Sequence, residues 1–269
     1  MRAAVVVLLL ACAVANAATL EFVRDGGVVR RLDDAQLARE CGVLTIEVDD
    51  PYYETRRQYR ACPLAAVLAA GFGAPVERLD GEDVLFRALD GYVKPSTLAR
   101  VGEDGGFVAL QELPRASGFS PMGRRGLDPG PFYVVWTKPE QRDTHRYPWP
   151  YQLAAIELAS IRTKFPHTVP GGLAPGAAGW RGYEIFRTEC VACHSVNGEG
   201  GTVGPDLNVP RSIVEYRPVD QVKAYIRNPA TFRYGNMPSH EHLSSADLDA
   251  LVAYFHAMKD RKYDPGGRP

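Results

Sequence analysis

Five consecutive residues, Cys190-Val191-Ala192-Cys193-His194, constrain this chain more than any other feature. A CxxCH run is the attachment signature of a c-type haem. The spacing follows from the chemistry. Two thiols separated by two residues can each add across a vinyl group of one porphyrin, and the adjacent imidazole is then held under the iron. The competing use of such a cysteine pair is half of a zinc site, which needs two further Cys or His ligands at suitable spacing. Downstream only His240 and His242 are within reach, and neither has a cysteine companion. The motif therefore predicts one covalent haem c.

A haem domain of this kind needs only about a hundred residues, whereas the chain has 269, enough for a second domain with its own core. The net charge of -1, with no polybasic run, gives no sign of a nucleic-acid or anionic-membrane partner. Residues 1–17 read as a secretory signal peptide: Arg2, then the apolar run Val5 to Ala13, then Ala15-Asn16-Ala17 before cleavage at Ala18. That run is too short to span a bilayer, so the mature protein is expected to lack a transmembrane span. Lipid attachment at Cys12, after Leu9-Leu10-Ala11, is the alternative use of the same segment. Export to the periplasm agrees with the haem motif, because c-type haem is attached outside the bacterial cytoplasm. In an oxidising compartment the two remaining cysteines, Cys41 and Cys62, can form a disulfide or stay as buried thiols, and the spacing leaves both open.

The Pro- and Gly-rich stretch 166–179, PHTVPGGLAPGAAG, reads as a linker with few contacts across it. Residues 18–165 before it form the first domain. Its short apolar runs Val43 to Val48, Val84 to Leu89, Phe107 to Leu110 and Phe132 to Trp136 predict strands. Leu64 to Ala70 predicts a helix started by Pro63 and stopped by Gly71. The fold class is α+β and mainly β. Residues 180–262 instead predict an all-α domain. Its helices are Trp180 to Thr188, Asp220 to Arg227 (stopped before Pro229) and Ser245 to Lys259, N-capped by Ser244 or Ser245. Leu248, Leu251, Val252 and Phe255 form the apolar stripe of the last. The tail 263–269 is expected to be disordered.

From Gly179 to Lys262 the second domain resembles the class I cytochromes c. Gly204-Pro205-Asp206-Leu207 is similar to the family's GPxL loop, and the resemblance implies that the Pro205 carbonyl accepts a hydrogen bond from the proximal ligand His194. Tyr183, Phe186 and Tyr254 fall where the first and last helices of the family cross, as haem shields or as core. Met237, in Arg233-Tyr234-Gly235-Asn236-Met237-Pro238, resembles the axial-methionine loop and is the expected sixth ligand, with His240, His242 or an open position as the alternatives. His/Met ligation favours ferrous iron and suits electron transfer. Glycines such as Gly198, Gly200 and Gly201 would let their loop lie close to the haem edge. Arg233 is read as a propionate partner or a solvated arginine. Acidic and basic residues balance after Trp180, so charge names no redox partner.

The first domain resembles the molybdopterin-binding domain of the sulfite oxidase family. The likeness lies in Tyr59 to Leu68 (YRACPLAAVL), Asp90-Gly91-Tyr92, Gly130 to Val135 and Trp149 to Leu158. The family's molybdenum-binding cysteine has no counterpart in Glu47 to Glu54 (EVDDPYYE), and Cys41 and Cys62 fall elsewhere. A soft metal without its thiolate binds poorly, so no molybdopterin cofactor is expected. His145 reads as part of a solvated turn and Lys94 as a surface lysine or an anion contact. Tyr52, Tyr53, Tyr59, Tyr147, Trp149 and Tyr151 read as core filling, a pocket wall or a docking face. No GxSxG, Walker-type or HExxH run is present.

These features point to a periplasmic monohaem cytochrome that carries electrons between a dehydrogenase or oxidase and another redox protein, with a non-catalytic docking or scaffold domain attached. The alternatives are an oxidoreductase whose first domain binds a pterin or small substrate, and a haem-based sensor.

Overall fold

The structure, a computed structural model, describes residues 18–80, 83–123, 126–233, 235 and 237–264. Residues 1–17, where the signal peptide and Cys12 are expected, residues Tyr234 and Asn236, and the end of the tail (265–269) lie outside the described residues.

The N-terminal region is mainly β. It runs β1 (Thr19–Arg24), β2 (Gly27–Asp33), α1 (Asp34–Cys41), β3 (Leu44–Asp50), β4 (Thr55–Pro63), α2 (Leu64–Phe72), β5 (Asp83–Ala88), β6 (Val93–Thr97), the single turn α3 (Leu98–Val101), β7 (Gly106–Leu113), β8 (Tyr133–Trp136) and β9 (Leu153–Ala159). Two sheets result, ordered β2-β1-β9-β5-β6 and β3-β4-β7-β8. Within them only β1 and β9 pair in parallel. Both sheets and the two longer helices share one core, which draws Phe22, Phe86 and Ile156 from the first sheet and Tyr59, Val108 and Tyr133 from the second. Helix α1 starts at a capping box in which Asp33 Oδ1 accepts from the Gln36 amide and Gln36 Oε1 accepts from the Asp33 amide. Helix α2 does not stop at Gly71. It continues to Phe72 and ends at Gly73, whose left-handed φ of 74° makes it the terminator.

Cys41 and Cys62 are disulfide-bonded, with Cα atoms 5.5 Å apart, and join the end of α1 to β4. Of the two states left open by spacing, this is the one found. Restraining a loop of this length is worth about 3 kcal/mol. The Cys41→Ala/Cys62→Ala variant should therefore lose roughly that much stability in urea unfolding.

The C-terminal region is helical. It follows the one-turn α4 (Ile161–Lys164) and contains α5 (Ala178–Ile185), the short hairpin β10 (Ser195–Val196) and β11 (Glu199–Gly200), the single turn α6 (Ile213–Tyr216), α7 (Val219–Arg227) and α8 (Ser245–Lys259). Ser244 caps α8 through the Asp247 amide, and Leu248, Leu251 and Phe255 bury the expected face. Helix α5 crosses α8 at Gly182, where a Cβ would run into the carbonyl oxygen of Ala250. Around the crossing Tyr183, Phe186 and Tyr254 are fully buried, with ring centroids 5.9 Å (Tyr183–Tyr254) and 5.3 Å (Phe186–Tyr254) apart.

The connection between the regions is packed, contrary to the reading of its composition. Ile161 and Phe165 are buried in the C-terminal core, and Val169 packs against it. The Tyr254 hydroxyl donates to the Thr168 carbonyl at 2.7 Å, and the Asn197 side chain donates to the His167 carbonyl at 2.8 Å. Proline and glycine preclude a regular helix here but leave the side chains between them free to pack. The tail is also tied at its start, where Tyr263 stacks on His167 with ring centroids 3.5 Å apart.

Candidate functional site

Helix α5 runs into a π-helical turn, Phe186–Cys190, a local geometry common at functional sites. The chain then closes tightly on itself: the amides of Cys193 and His194 both donate to the Cys190 carbonyl, at 3.1 and 2.9 Å. This turn holds the CxxCH residues in one compact unit. Burial pushes the Cys190 thiol up to about 12 and raises that of Cys193 as well. Reactive or metal-binding cysteines show the opposite shift. Both side chains nevertheless keep accessible surface, as groups lining a crevice do.

His194 Nδ1 lies 2.8 Å from the Pro205 carbonyl oxygen. A carbonyl can only accept, so Nδ1 carries the proton and Nε2 keeps its lone pair for a metal. Desolvation lowers the imidazole's pKa and keeps it neutral, the form that ligates. Gly204 lies flat on this ring: a Cβ there would overlap the imidazole, so the loop can carry the Pro205 carbonyl to Nδ1 only with glycine at 204. Next to it the Gly201 amide donates to the Val191 carbonyl at 2.9 Å, which holds the glycine loop against the CxxCH turn.

Met237 is half-buried against the C-terminal apolar cluster that also includes Cys190, Phe186, Leu207 and Ile226. Met258 is buried in the core face of α8, and Met122 in the core of the N-terminal region. Arg233 is exposed, donating through Nε to the Tyr225 hydroxyl at 2.9 Å. Tyr183 and Phe186 belong to the core of the helix crossing.

The N-terminal region reaches this site, which its sequence did not reveal. Edge strand β6 extends its pairing onto the haem motif: the Val93 amide donates to the Ala192 carbonyl at 2.9 Å. Just before it, Gly91 accepts from the Thr202 amide at 3.2 Å. Lys94 is buried, not on the surface; its Nζ donates to the Thr188 carbonyl at 3.0 Å, and desolvation lowers its pKa. Asp83 Oδ1 pairs with Arg187 at 3.1 Å while its Oδ2 accepts from the Ile161 amide. His145 lies in an exposed turn, as its sequence suggests, and in addition its Nδ1 lies 3.1 Å from Glu189 Oε2.

The aromatic group of the first region divides in two. Tyr59, Tyr147 and Trp149 fill its core. Tyr52 and Tyr151, edge-on at 5.9 Å, join Tyr92 on the Cys193 side, and the pKa of each of the three phenols is raised by burial, with the Cys193 thiol adding to the push. Tyr52 is densely surrounded yet 42% exposed, again the behaviour of a crevice wall. Buried Asp50 anchors this wall by accepting from the Tyr52 and Tyr53 amides at 2.9 and 3.1 Å and from the Tyr59 and Tyr133 hydroxyls at 2.9 and 3.0 Å. Asp50 lies in the Glu47 to Glu54 stretch where the resembled family would carry its metal-binding cysteine.

These residues fit a c-type haem: two desolvated thiols in one turn, a neutral imidazole with a fixed tautomer, and apolar and aromatic walls. Comparison with known proteins agrees. Residues 180–259 match the cytochrome c family. Cytochrome c oxidase subunit 2 of Alkalihalophilus pseudofirmus (strain ATCC BAA-2126 / JCM 17055 / OF4) is 31% identical over 87 residues, 29% of this chain and 25% of that protein. Thiosulfate dehydrogenase of Thiomonas intermedia (strain K12) is 35% identical over 91 residues, 32% of this chain and 28% of that protein. The chain thus spans about a quarter of the length of these curated relatives. Its helical C-terminal region contains a cytochrome c domain, which implies covalently bound haem c.

Proposed function

We propose that this protein is a periplasmic monohaem cytochrome c that passes single electrons between redox proteins, its N-terminal region serving as a non-catalytic docking and scaffold domain. Haem c, when attached, supplies a one-electron couple. Cys190 and Cys193 would anchor it, and His194 would ligate through Nε2 while Pro205 accepts the proton on Nδ1. Met237, half-buried against the same apolar cluster as Cys190, would be the second protein ligand to the iron and would keep oxygen and small substrates from it. The observation that carries this reading is the bond from His194, at the end of the CxxCH turn, to the Pro205 carbonyl of the 204–207 loop, because it prepares the imidazole for iron before any ligand arrives.

The sulfite oxidase-like resemblance of the first region is consistent with a scaffold. Both of its cysteines beyond the signal segment are bonded to each other, so neither offers a thiolate to a soft metal. Asp50, in the stretch where that ligand would fall, is occupied by four hydrogen-bond donors. Partners would be dehydrogenases and oxidases, the two kinds of protein that the relatives' names describe.

Protein matured in a haem-attaching periplasm should contain one iron and no molybdenum per chain, titrate as a single one-electron couple, and fail to bind carbon monoxide when reduced. An equivalent of molybdenum would establish the first region as a cofactor domain instead. Ready carbon monoxide binding by the native protein would favour a sensor or an enzyme over an electron carrier.

A further inference from the structure

Three residues from separate parts of the chain converge outside the haem ligand set. His145 lies in the loop between β8 and β9, Glu189 directly precedes Cys190, and His242 lies in the segment between Met237 and α8. His145 Nδ1 is 3.1 Å and His242 Nε2 is 3.3 Å from the same carboxylate oxygen, Glu189 Oε2. All three ligand atoms lie within 4.8 Å of one another, and the imidazoles are 4.1 Å apart between centroids.

We propose that His145, Glu189 and His242 form a binding site for a divalent zinc-class ion that joins the N-terminal region to the haem-binding turn. Tetrahedral zinc with ligands at about 2.0–2.2 Å holds neighbouring ligand atoms about 3.3 Å apart, close to both nitrogen–oxygen separations here. Two imidazoles and one carboxylate are a recognised zinc donor set, completed by a water in the fourth position. A second observation supports that water. Buried His240, with its ring 6.2 Å from His145 and 5.8 Å from His242, has no hydrogen-bond partner for Nδ1 among the described residues. A water on a bound ion would lie close enough to that ring to give the nitrogen a partner. His145 and His242 are each about 40% exposed, so an ion can enter from solvent, whereas Glu189 is 15% exposed and held in place. The ion would span two regions that also meet at the β6 and Gly91 contacts, the Asp83–Arg187 pair and the 166–179 connection. It would thereby fix the N-terminal region against the turn that carries both haem cysteines. The site requires that the sixth haem ligand be a residue other than His242, as it is when Met237 takes that role.

The test is calorimetric titration of zinc chloride into chelator-treated holoprotein, with the haem spectrum and melting temperature as fold controls. One zinc per chain is expected to bind. Loss of partners that merely orient a ligand already costs about 10–100-fold in affinity, so His145→Ala and His242→Ala should each weaken binding by about 100-fold or more. Glu189→Gln should weaken it as well, while replacement of the exposed His256 by Ala should leave it unchanged. Should His242→Ala or Glu189→Gln disturb haem loading, His145→Ala decides alone, because His145 lies in the other region. Undiminished zinc binding in His145→Ala, or no binding by the native protein at millimolar zinc, would overturn the proposal and leave the three residues as a plain ion-pair cluster.

Discussion

A fragment beginning at Gly179 is expected to lose most of its haem incorporation, whereas one beginning at Ser160 retains it. The difference lies in the segment between them. Ile161 and Phe165 are buried in the C-terminal core, and burial of two such side chains is worth roughly 3–6 kcal/mol. The shorter fragment also loses the bond from Tyr254 to the Thr168 carbonyl, about 1 kcal/mol, and leaves a buried phenol without an acceptor. Set against the roughly 5–15 kcal/mol that holds a typical domain together, this loss is decisive. Haem content per chain and the thermal midpoint of each purified fragment measure the effect. Equal haem content and equal midpoints would show that the C-terminal fold ends at Gly179 and that residues 160–178 only rest on its surface. The longer fragment still lacks the β6 edge and the wall of Tyr52, Tyr92 and Tyr151. It should therefore hold its haem with greater solvent exposure and a lower potential than the full chain.

What could be read from sequence here divides along physical lines. The CxxCH turn was legible because attachment chemistry dictates residue type and spacing within a short segment, and the GPDL loop because it resembles the corresponding loop of the class I cytochromes c. Helix α8 was legible because Ser244, the acidic first turn and a periodic apolar stripe are all local signals. The β runs 43–48, 84–89, 107–110 and 132–136 were found for the same reason. By contrast, β1 and β2 went unremarked, and nothing local in Val93 shows that its amide will pair with Ala192, about a hundred residues away. Glu189, His145 and His242 likewise meet only because two regions dock. Lys94 reads as a surface residue until that docking covers it. The 166–179 segment shows a further limit, since composition reports backbone propensity, whereas Thr168 and Val169 pack by virtue of their side chains. Cys41 and Cys62 depended on geometry that spacing alone does not supply.

Met237→Ala is expected to remove the weak sulfur-to-iron charge-transfer band in the far red and to open the reduced protein to carbon monoxide. It should also lower the reduction potential on the order of 0.1 V, within the ~0.8 V that axial ligands span. The direction follows from ligand softness: a thioether stabilises ferrous iron, and the water or imidazole that replaces it does so less. The other described methionines are poorly placed to compensate, Met122 being in the core of the N-terminal region and Met258 on the buried face of α8. Potentiometry and carbon monoxide difference spectra on the variant measure all three effects. If the band and potential survive in Met237→Ala but vanish in Met258→Ala or Met122→Ala, the ligand is misassigned. If instead His240→Ala or His242→Ala opens the site, the iron is bis-histidine with a low potential. His242 would then serve the iron rather than Glu189 and a bound ion, and zinc titration of the native holoprotein would separate the two roles, because an imidazole nitrogen held by iron is not free for zinc.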